Sequence, residues 1–280
     1  LIFANLRLIA ATFASERLPN FVKKTTMASK NKIALVTGGS RGLGRDMALR
    51  LAEKGLDVII TYNQRAEDAQ RVVAQIEAAG RKAATLQLNT GVLQGFGAFT
   101  DQLKTILSSH FGADHFDFLI NNAGQGGYSP ISEVTEAFFD DLLNVHFKGV
   151  YFLTQKLLPL MNDGGGIVNI SSGLARVSMP GSSVYGSFKS AVETFTRYLA
   201  KELGPRGIRA NVVAPGAIMT DFGNARLRSS EDLQKMVSSI TALGRPGVAE
   251  DIGGVVAFLC TEDARWVNGQ RIEASGGMQL

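Results

Sequence analysis

Cysteine is almost missing from this chain of 280 residues: Cys260 stands alone, so no internal disulfide can form. It ends the apolar helical run Val255-Val256-Ala257-Phe258-Leu259, where it reads as buried filler rather than a nucleophile. Histidine is scarce too, three in all with no Cys/His cluster, so no metal site is expected. No apolar run reaches the roughly 18–20 residues that a membrane-spanning helix needs, and no membrane partner is expected. Net charge is small, +4, and residues 1–26 hold +3 of it because Arg7, Arg17, Lys23 and Lys24 face only Glu16. The rest of the chain carries only +1, which argues against a nucleic-acid surface.

What is abundant is glycine, at 31 residues, within a composition 45% hydrophobic and 19% charged that suits a folded enzyme with many tight turns. Residues 1–26 stand apart as an extension with apolar runs and scattered basic residues, followed by Met27. Two readings are open for it, a fragment or upstream extension with the natural start at Met27, or an organelle-targeting segment. The first is preferred, with residues 27–280 forming one domain and a cytoplasmic location.

From residue 32 a regular alternation begins. Strands are expected over 32–36, 57–62, 83–88, 116–120, 167–171, 208–213 and 271–274, with helices between them. Among the helices are one over 98–107, a short turn or helix followed by a long helix within 135–161 that stops near Pro159, one carrying Tyr185 to about Gly204, and one over 249–260. Asn162-Asp163-Gly164-Gly165-Gly166 reads as a turn, and 221–244 as a polar, mobile flap over a site. Alternating strands and helices imply parallel crossovers, hence an α/β fold with a doubly wound Rossmann-type parallel sheet of seven strands in a single domain.

The first strand runs into Thr37-Gly38-Gly39-Ser40-Arg41-Gly42-Leu43-Gly44 and then into a helix. Strand, glycine loop and helix make a phosphate cradle, because glycines admit the backbone close to a pyrophosphate and the helix start offers free N–H groups. The second strand ends Thr61-Tyr62-Asn63-Gln64-Arg65 without the carboxylate that usually meets an unphosphorylated ribose. Arg41 and Arg65 flank that place, so NADP (NADPH) is the expected cofactor. Further along, Tyr185 and Lys189 stand at i and i+4, on one helix face, and an ammonium beside a phenol favours the phenolate. A phenol acidified in this way would serve as acid/base for an alcohol or carbonyl, with a serine from the preceding strand holding the same oxygen.

Taken together, Thr37-Gly38-x-x-x-Gly42-x-Gly44, Asn121-Asn122-Ala123-Gly124, Ser172, Tyr185-x-x-x-Lys189 and Pro215-Gly216-x-Ile218-x-Thr220 resemble the short-chain dehydrogenase/reductase family over residues 32–280. The resemblance is to the branch holding 3-oxoacyl carrier-protein reductases, glucose dehydrogenases and fungal-type naphthol reductases. It implies hydride transfer between the nicotinamide of NADP and a carbon bearing oxygen, on a small-molecule carbonyl or alcohol substrate. Tyr185 would be the acid or base, Lys189 would lower its pKa and hold the nicotinamide ribose, and Ser172 would orient the substrate oxygen. Cofactor contacts implied are Thr37, Gly38, Ser40, Arg41, Gly42, Leu43, Gly44, Asn63, Asn89, Asn121, Ala123, Gly124, Tyr185, Lys189, Pro215, Gly216, Ile218 and Thr220. Apolar residues on more than one face of the helices around 142–161 and 185–203 imply a homotetramer or homodimer, and Trp266 and Phe258 read as packing or subunit contact. A catalytically silent NADP-binding sensor or scaffold, or an isomerase or epimerase, are the rival readings of the same fold.

Two positions depart from the family pattern. Leu88-Asn89-Thr90 stands where an Asp commonly meets the adenine amine, and the Asn89 amide oxygen would accept the same hydrogen bond. His146 stands where the family has an Asn whose backbone holds a proton-relaying water. Three readings compete: a spacer whose backbone still bends, a member of the relay, or a relay that is lost. The first is preferred.

Overall fold

The computed structural model of the protein describes residues 31–223 and 225–280; the extension over 1–26 lies outside the described residues. The apolar run Ile33–Val36, buried throughout, forms β1. The chain then alternates as α1 (Gly42–Glu53), β2 (Asp57–Tyr62), α2 (Ala66–Ala78), β3 (Ala83–Gln87), α3 (Phe96–Ile106) and β4 (Phe116–Asn121). The second half holds α4 (Glu136–Leu143), α5 (Gly149–Leu157), β5 (Met161–Ile170), α6 (Ser183–Glu202), β6 (Arg209–Pro215), α7 (Arg226–Ser229), α8 (Glu231–Ser239), α9 (Glu250–Leu259) and β7 (Arg271–Ala274). All seven strands pair in parallel in the order β3-β2-β1-β4-β5-β6-β7. Winding reverses between β1 and β4, and a crevice opens there at the carboxyl edge of the sheet.

Strands β1 to β6 divide their side chains between two cores. Ala34, Val36, Val58 and Ile60 face the layer that holds Met47, Leu51, Val72, Ile76 and Val256, and Cys260 is buried in the same cluster. Ile33, Leu35 and Ile59 face the opposite layer, with Phe99, Leu103, Leu153, Leu157 and Leu199. A polar ladder crosses the second half of the sheet. The Asn121 amide donates to Thr154 Oγ1 (3.0 Å) and Asn169 Oδ1 (2.8 Å), and the Asn169 amide donates to Thr196 Oγ1 (2.9 Å). Such groups are tolerable in the interior only because each finds a partner. The ladder thereby fixes α5 and α6 against the two strands that end at the crevice.

Two local expectations are corrected. The long helix is present and unbroken, α4 running on into α5 through a π turn over Asn144–Lys148, where Gly149 N–H donates to the Asn144 carbonyl. Gly149 has to be bare there, since a Cβ would stand 2.1 Å from the Thr90 carbonyl oxygen. The glycine-rich turn at 162–166 lies within β5 itself, where the pairing with β4 shifts register between Phe116 and Phe118. The flap is largely helical: Ser230 caps α8 by accepting from Leu233 N–H (3.3 Å), and Glu231 and Asp232 occupy its first turn. A polar helix with a hydroxyl cap and acids at its positive end is stable despite little apolar periodicity. Among the described residues no helix is long and apolar enough to cross a membrane.

Asn169→Ala leaves the Asn121 amide and Thr196 without a shared partner and is expected to lower unfolding free energy by about 2–3 kcal/mol. Urea denaturation of the two proteins measures this, and an unchanged midpoint would show that the ladder is not structural.

Candidate active site

The loop after β1 is built for close approach. Gly38 and Gly42 adopt φ of 66° and 54°, and a Cβ on Gly44 would lie 2.2 Å from the Gly38 carbonyl oxygen. The helix α1 starts at Gly42 with Arg41 extended before it and no side-chain cap, which leaves its first N–H groups for a ligand. Thr37 and Asn122 hold the loop from beneath. Thr37 Oγ1 donates to the Ile120 carbonyl (3.2 Å) and accepts from Asn122 and Ala123 N–H (3.0 Å each), while the Asn122 amide donates to the Thr37 and Gly38 carbonyls (2.9 and 3.1 Å). Asn121 turns its side chain into the ladder, so it offers the crevice backbone only. Sequence reading named Asn122 within a motif but gave its side chain no role, because that side chain's work is to tie two loops far apart in the chain.

The remaining cofactor positions gather along the same edge. Asn63 and Asn89 line a groove of about 310 Å³ at the ends of β2 and β3, together with Gln87, Leu88 and Phe99. The Asn89 oxygen accepts from Gly91 N–H (2.9 Å), a local turn that orients the amide. On the other side, β6 ends in Pro215, Gly216 N–H donates to the Ala274 carbonyl (3.1 Å), Ile218 pairs with Gly247, and the Thr220 side chain faces Gly42. Arg41, Ser40 and Leu43 keep some exposure at the mouth. Arg41 pairs with Asp221 at 3.3 Å, and Arg65 with Asp68 at 3.5 Å. Both are exposed pairs, which release a guanidinium at a cost of under about 1 kcal/mol. Uncapped N–H groups, bare glycine backbone and available cations fit a phosphorylated dinucleotide.

Next to that cradle stand the residues expected to act on substrate. Ser172 follows β5, and its hydroxyl accepts from Leu174 N–H (3.2 Å). Tyr185 and Lys189 share one face of α6, with the Lys189 ammonium nitrogen 5.5 Å from the centre of the Tyr185 ring. The ammonium donates to the Ile170 carbonyl (2.8 Å), one residue before Ser171-Ser172. Burial pulls Lys189 down to about 8. Burial also pushes the Tyr185 phenol up to about 12, against a Ser172 hydrogen bond that works the other way. The expectation of a phenol acidified by its lysine neighbour is thus reversed in the protein alone. The ammonium lies over the ring and spends its hydrogen bond on a carbonyl, and desolvation of the phenolate is the larger effect.

His146 is fully buried in the middle of the π turn, its ring edge-on to Tyr185 with centroids 4.9 Å apart. Its Nε2 lies 2.7 Å from the Gln125 carbonyl, which can only accept, so Nε2 carries the proton and Nδ1 is left without a partner. Burial, aided by the charge of Lys189, brings its pKa down to about 3. The imidazole is therefore neutral through the physiological range.

Aromatic and bare-backbone contacts close the outer wall. The Phe222 ring lies 6.0 Å from that of Tyr185, and a Cβ on Gly126 would meet the Gly223 backbone at 2.6 Å. Tyr128 covers Gly181, and the Arg226 guanidinium lies 5.6 Å from the Tyr128 ring centre. Tyr128 was not singled out from sequence, since no spacing links residue 128 to 181 and 226.

A dinucleotide cradle beside a serine, tyrosine and lysine on one sheet edge defines an oxidoreductase of the Rossmann type. A family profile described as enoyl-(acyl carrier protein) reductase matches residues 38–279. An uncharacterized oxidoreductase of Methylorubrum extorquens is 39% identical over 251 residues, covering 89% of this chain and 98% of the relative. A hydroxynaphthalene reductase-like protein, Arp2, of Metarhizium brunneum is 36% identical over 267 residues, 91% of this chain and 97% of its own length. Among solved structures, the angucycline C-6 ketoreductase LanV with bound NADP superposes with a TM-score of 0.85 at 38% identity, covering 89% of this chain and 96% of that one. The chain belongs to the short-chain dehydrogenase/reductase family.

Because folded His146 titrates near 3 and an unfolded histidine near 6.5, the unfolded chain binds the extra proton between those values, and stability falls as pH drops through the window. His146→Asn is expected to flatten that acid limb. Urea midpoints at pH 7 and pH 4 give the comparison, and an equal loss in both proteins would refute it.

Proposed function

We propose that this oxidoreductase uses NADP(H) to reduce the carbonyl of planar, largely apolar ketones or quinones. The observation that carries the reading is the meeting of Ser172, Tyr185 and Lys189 beside the glycine cradle, on the edge where such sheets bind ligands. When bound, the nicotinamide supplies the hydride. Tyr185 gives its proton to the carbonyl oxygen, and Ser172 holds that oxygen beside the phenol. A phenol lifted to about 12 stays protonated through the neutral range, so it has a proton to give when a carbonyl oxygen is reduced. Lys189, held by the Ile170 carbonyl, would hold the nicotinamide ribose, and its ammonium would stabilise negative charge left on the phenol. His146, neutral and bonded to the Gln125 carbonyl, is a spacer that packs Tyr185 rather than a proton carrier.

The cofactor choice is supported by the missing acid after β2, by Arg41 at the cradle mouth, and by NADP in the LanV structure. The residues of the cradle named from sequence, from Thr37 to Thr220, are read as its contacts. For the substrate, the exposed faces of Tyr128, Met179 and Phe222 offer stacking area, with the Arg226 guanidinium over the Tyr128 ring as the charge beside them. Hydroxynaphthalene and angucycline reductases among the relatives support an aromatic carbonyl over an aliphatic one. Assembly as a homotetramer or homodimer is supported by the aromatic face of α5 and α6, where Tyr151 stacks on Phe195 at 4.5 Å and Tyr198 is 63% exposed. A cytoplasmic location is proposed with this reading.

NADPH absorbance with a panel of aryl ketones, quinones, aliphatic ketones and 3-oxoacyl thioesters tests the reading. Turnover of the aromatic members, lowered about 100-fold or more in Tyr185→Phe, is expected. Turnover confined to the thioesters would overturn the substrate class, and tight NADPH binding with no turnover at all would point to the sensor. In the same assay Arg41→Ala is expected to raise KM for NADPH about tenfold while leaving that for NADH nearly unchanged. Equal affinity of the unmutated protein for the two cofactors would overturn the choice of NADP.

A further inference from the structure

Ser172 stands beyond the last sheet hydrogen bond that could hold it. Ser171 N–H donates to the Val213 carbonyl (2.8 Å), and after it the backbone leaves the ladder. A short turn accounts for part of the hold, with Ala175 N–H donating to the Ser172 carbonyl at 3.1 Å. The rest comes from a charged cluster that the chemistry above does not use. Arg271, on the edge strand β7, donates through Nε to Glu193 Oε1 (2.7 Å), through Nη1 to Glu273 Oε2 (3.0 Å) and through Nη2 toward the Ser172 carbonyl (3.4 Å). Ser171 Oγ donates to the same Glu193 oxygen (2.7 Å), and Arg176, in the turn after Ser172, pairs with Glu273 (3.0 Å). Arg271, Glu193 and Glu273 are all largely shielded from solvent.

Glu193 is the informative member. It lies four residues past Lys189 and eight past Tyr185, so the three share one face of α6. A guanidinium fork fixes direction as well as distance, because its donors are held in one plane. Arg271 therefore joins the helix that carries the phenol and the lysine to the backbone of the serine that must meet them. We propose that Arg271, clamped by Glu193 and Glu273, is the positioning residue that sets the Ser172 hydroxyl against the Tyr185 phenol. The assignment rests on the roles given to Ser172 and Tyr185 above. It adds a requirement that neither residue reveals by itself: the active-site geometry depends on the far edge strand.

The test uses Arg271→Met, Arg271→Lys and Glu193→Gln, with Ser171→Ala as a mild variant that removes only one hydrogen bond of the cluster. Displacing a reacting group by about an ångström costs up to about 100-fold in rate. Arg271→Met is thus expected to lower kcat with an aryl ketone about 10- to 100-fold. KM for NADPH should change less than about twofold, with Arg271→Lys regaining part of the loss. A folded Arg271→Met with unchanged kcat, or a loss matched in every variant by lost folded fraction, overturns the proposal. Crystal structures of the unmutated protein and of Arg271→Met read the same positioning without turnover. Ser172 Oγ is expected to move away from the Tyr185 hydroxyl by about an ångström in Arg271→Met, and an unmoved serine overturns the positioning role. An unmutated protein that turns over no carbonyl would sink the functional reading, and the pair of structures would still decide the role of Arg271.

Discussion

One buried hydrogen bond sets the frame for the rest: the Lys189 ammonium donates to the Ile170 carbonyl, the last residue of β5. It ties α6 to the strand that delivers the serine, and it does so at the carboxyl edge where the glycine loop also ends. With the Asn169–Thr196 and Ser171–Glu193 bonds it holds α6 in register along the sheet, and so keeps phenol and serine together. The tie is expensive, since burial takes Lys189 well below its ordinary basicity, and a buried amine is tolerated only where it has a firm acceptor. The Asn121–Asn169 ladder lies deeper in the same layer and anchors the same helix through Thr196.

Desolvation is the common thread among the ionisable groups there. It lowers Lys189 and His146 and raises Tyr185, so the pocket in its resting state favours the neutral form of each. Lys189, at about 8, still carries most of its charge at neutral pH, so the site keeps one positive charge and holds a proton on the phenol until an oxygen beside it becomes basic. Phe222 and the bare backbone of Gly126 and Gly223 extend the same low-polarity wall outward.

Much of this was legible from sequence because it is local. The strand–glycine–helix succession, the Tyr185/Lys189 spacing and the missing acid after β2 are each contained within a dozen residues, and their periodicities translate directly into faces. What escaped depends on partners distant in the chain. The π turn at His146 answers to the Thr90 carbonyl pressed on Gly149, and the phenol's shift to its seclusion under loops around 125 and 222. The helix α8 escaped for a different reason: it is held by its cap and end charges, and a search for apolar periodicity passes over it. Arg271 and Glu193 are 78 residues apart, and nothing short of the fold brings them together.

Cys260, sealed in the core behind α9, gains a meaning from the chemistry at the other end of the sheet. Burial pushes its thiol up to about 12, so almost none of it is thiolate near neutrality. Quinones are Michael acceptors that arylate thiolates. Under the proposal that quinones are among the substrates, a lone sulfhydryl kept protonated and out of reach would escape alkylation by them.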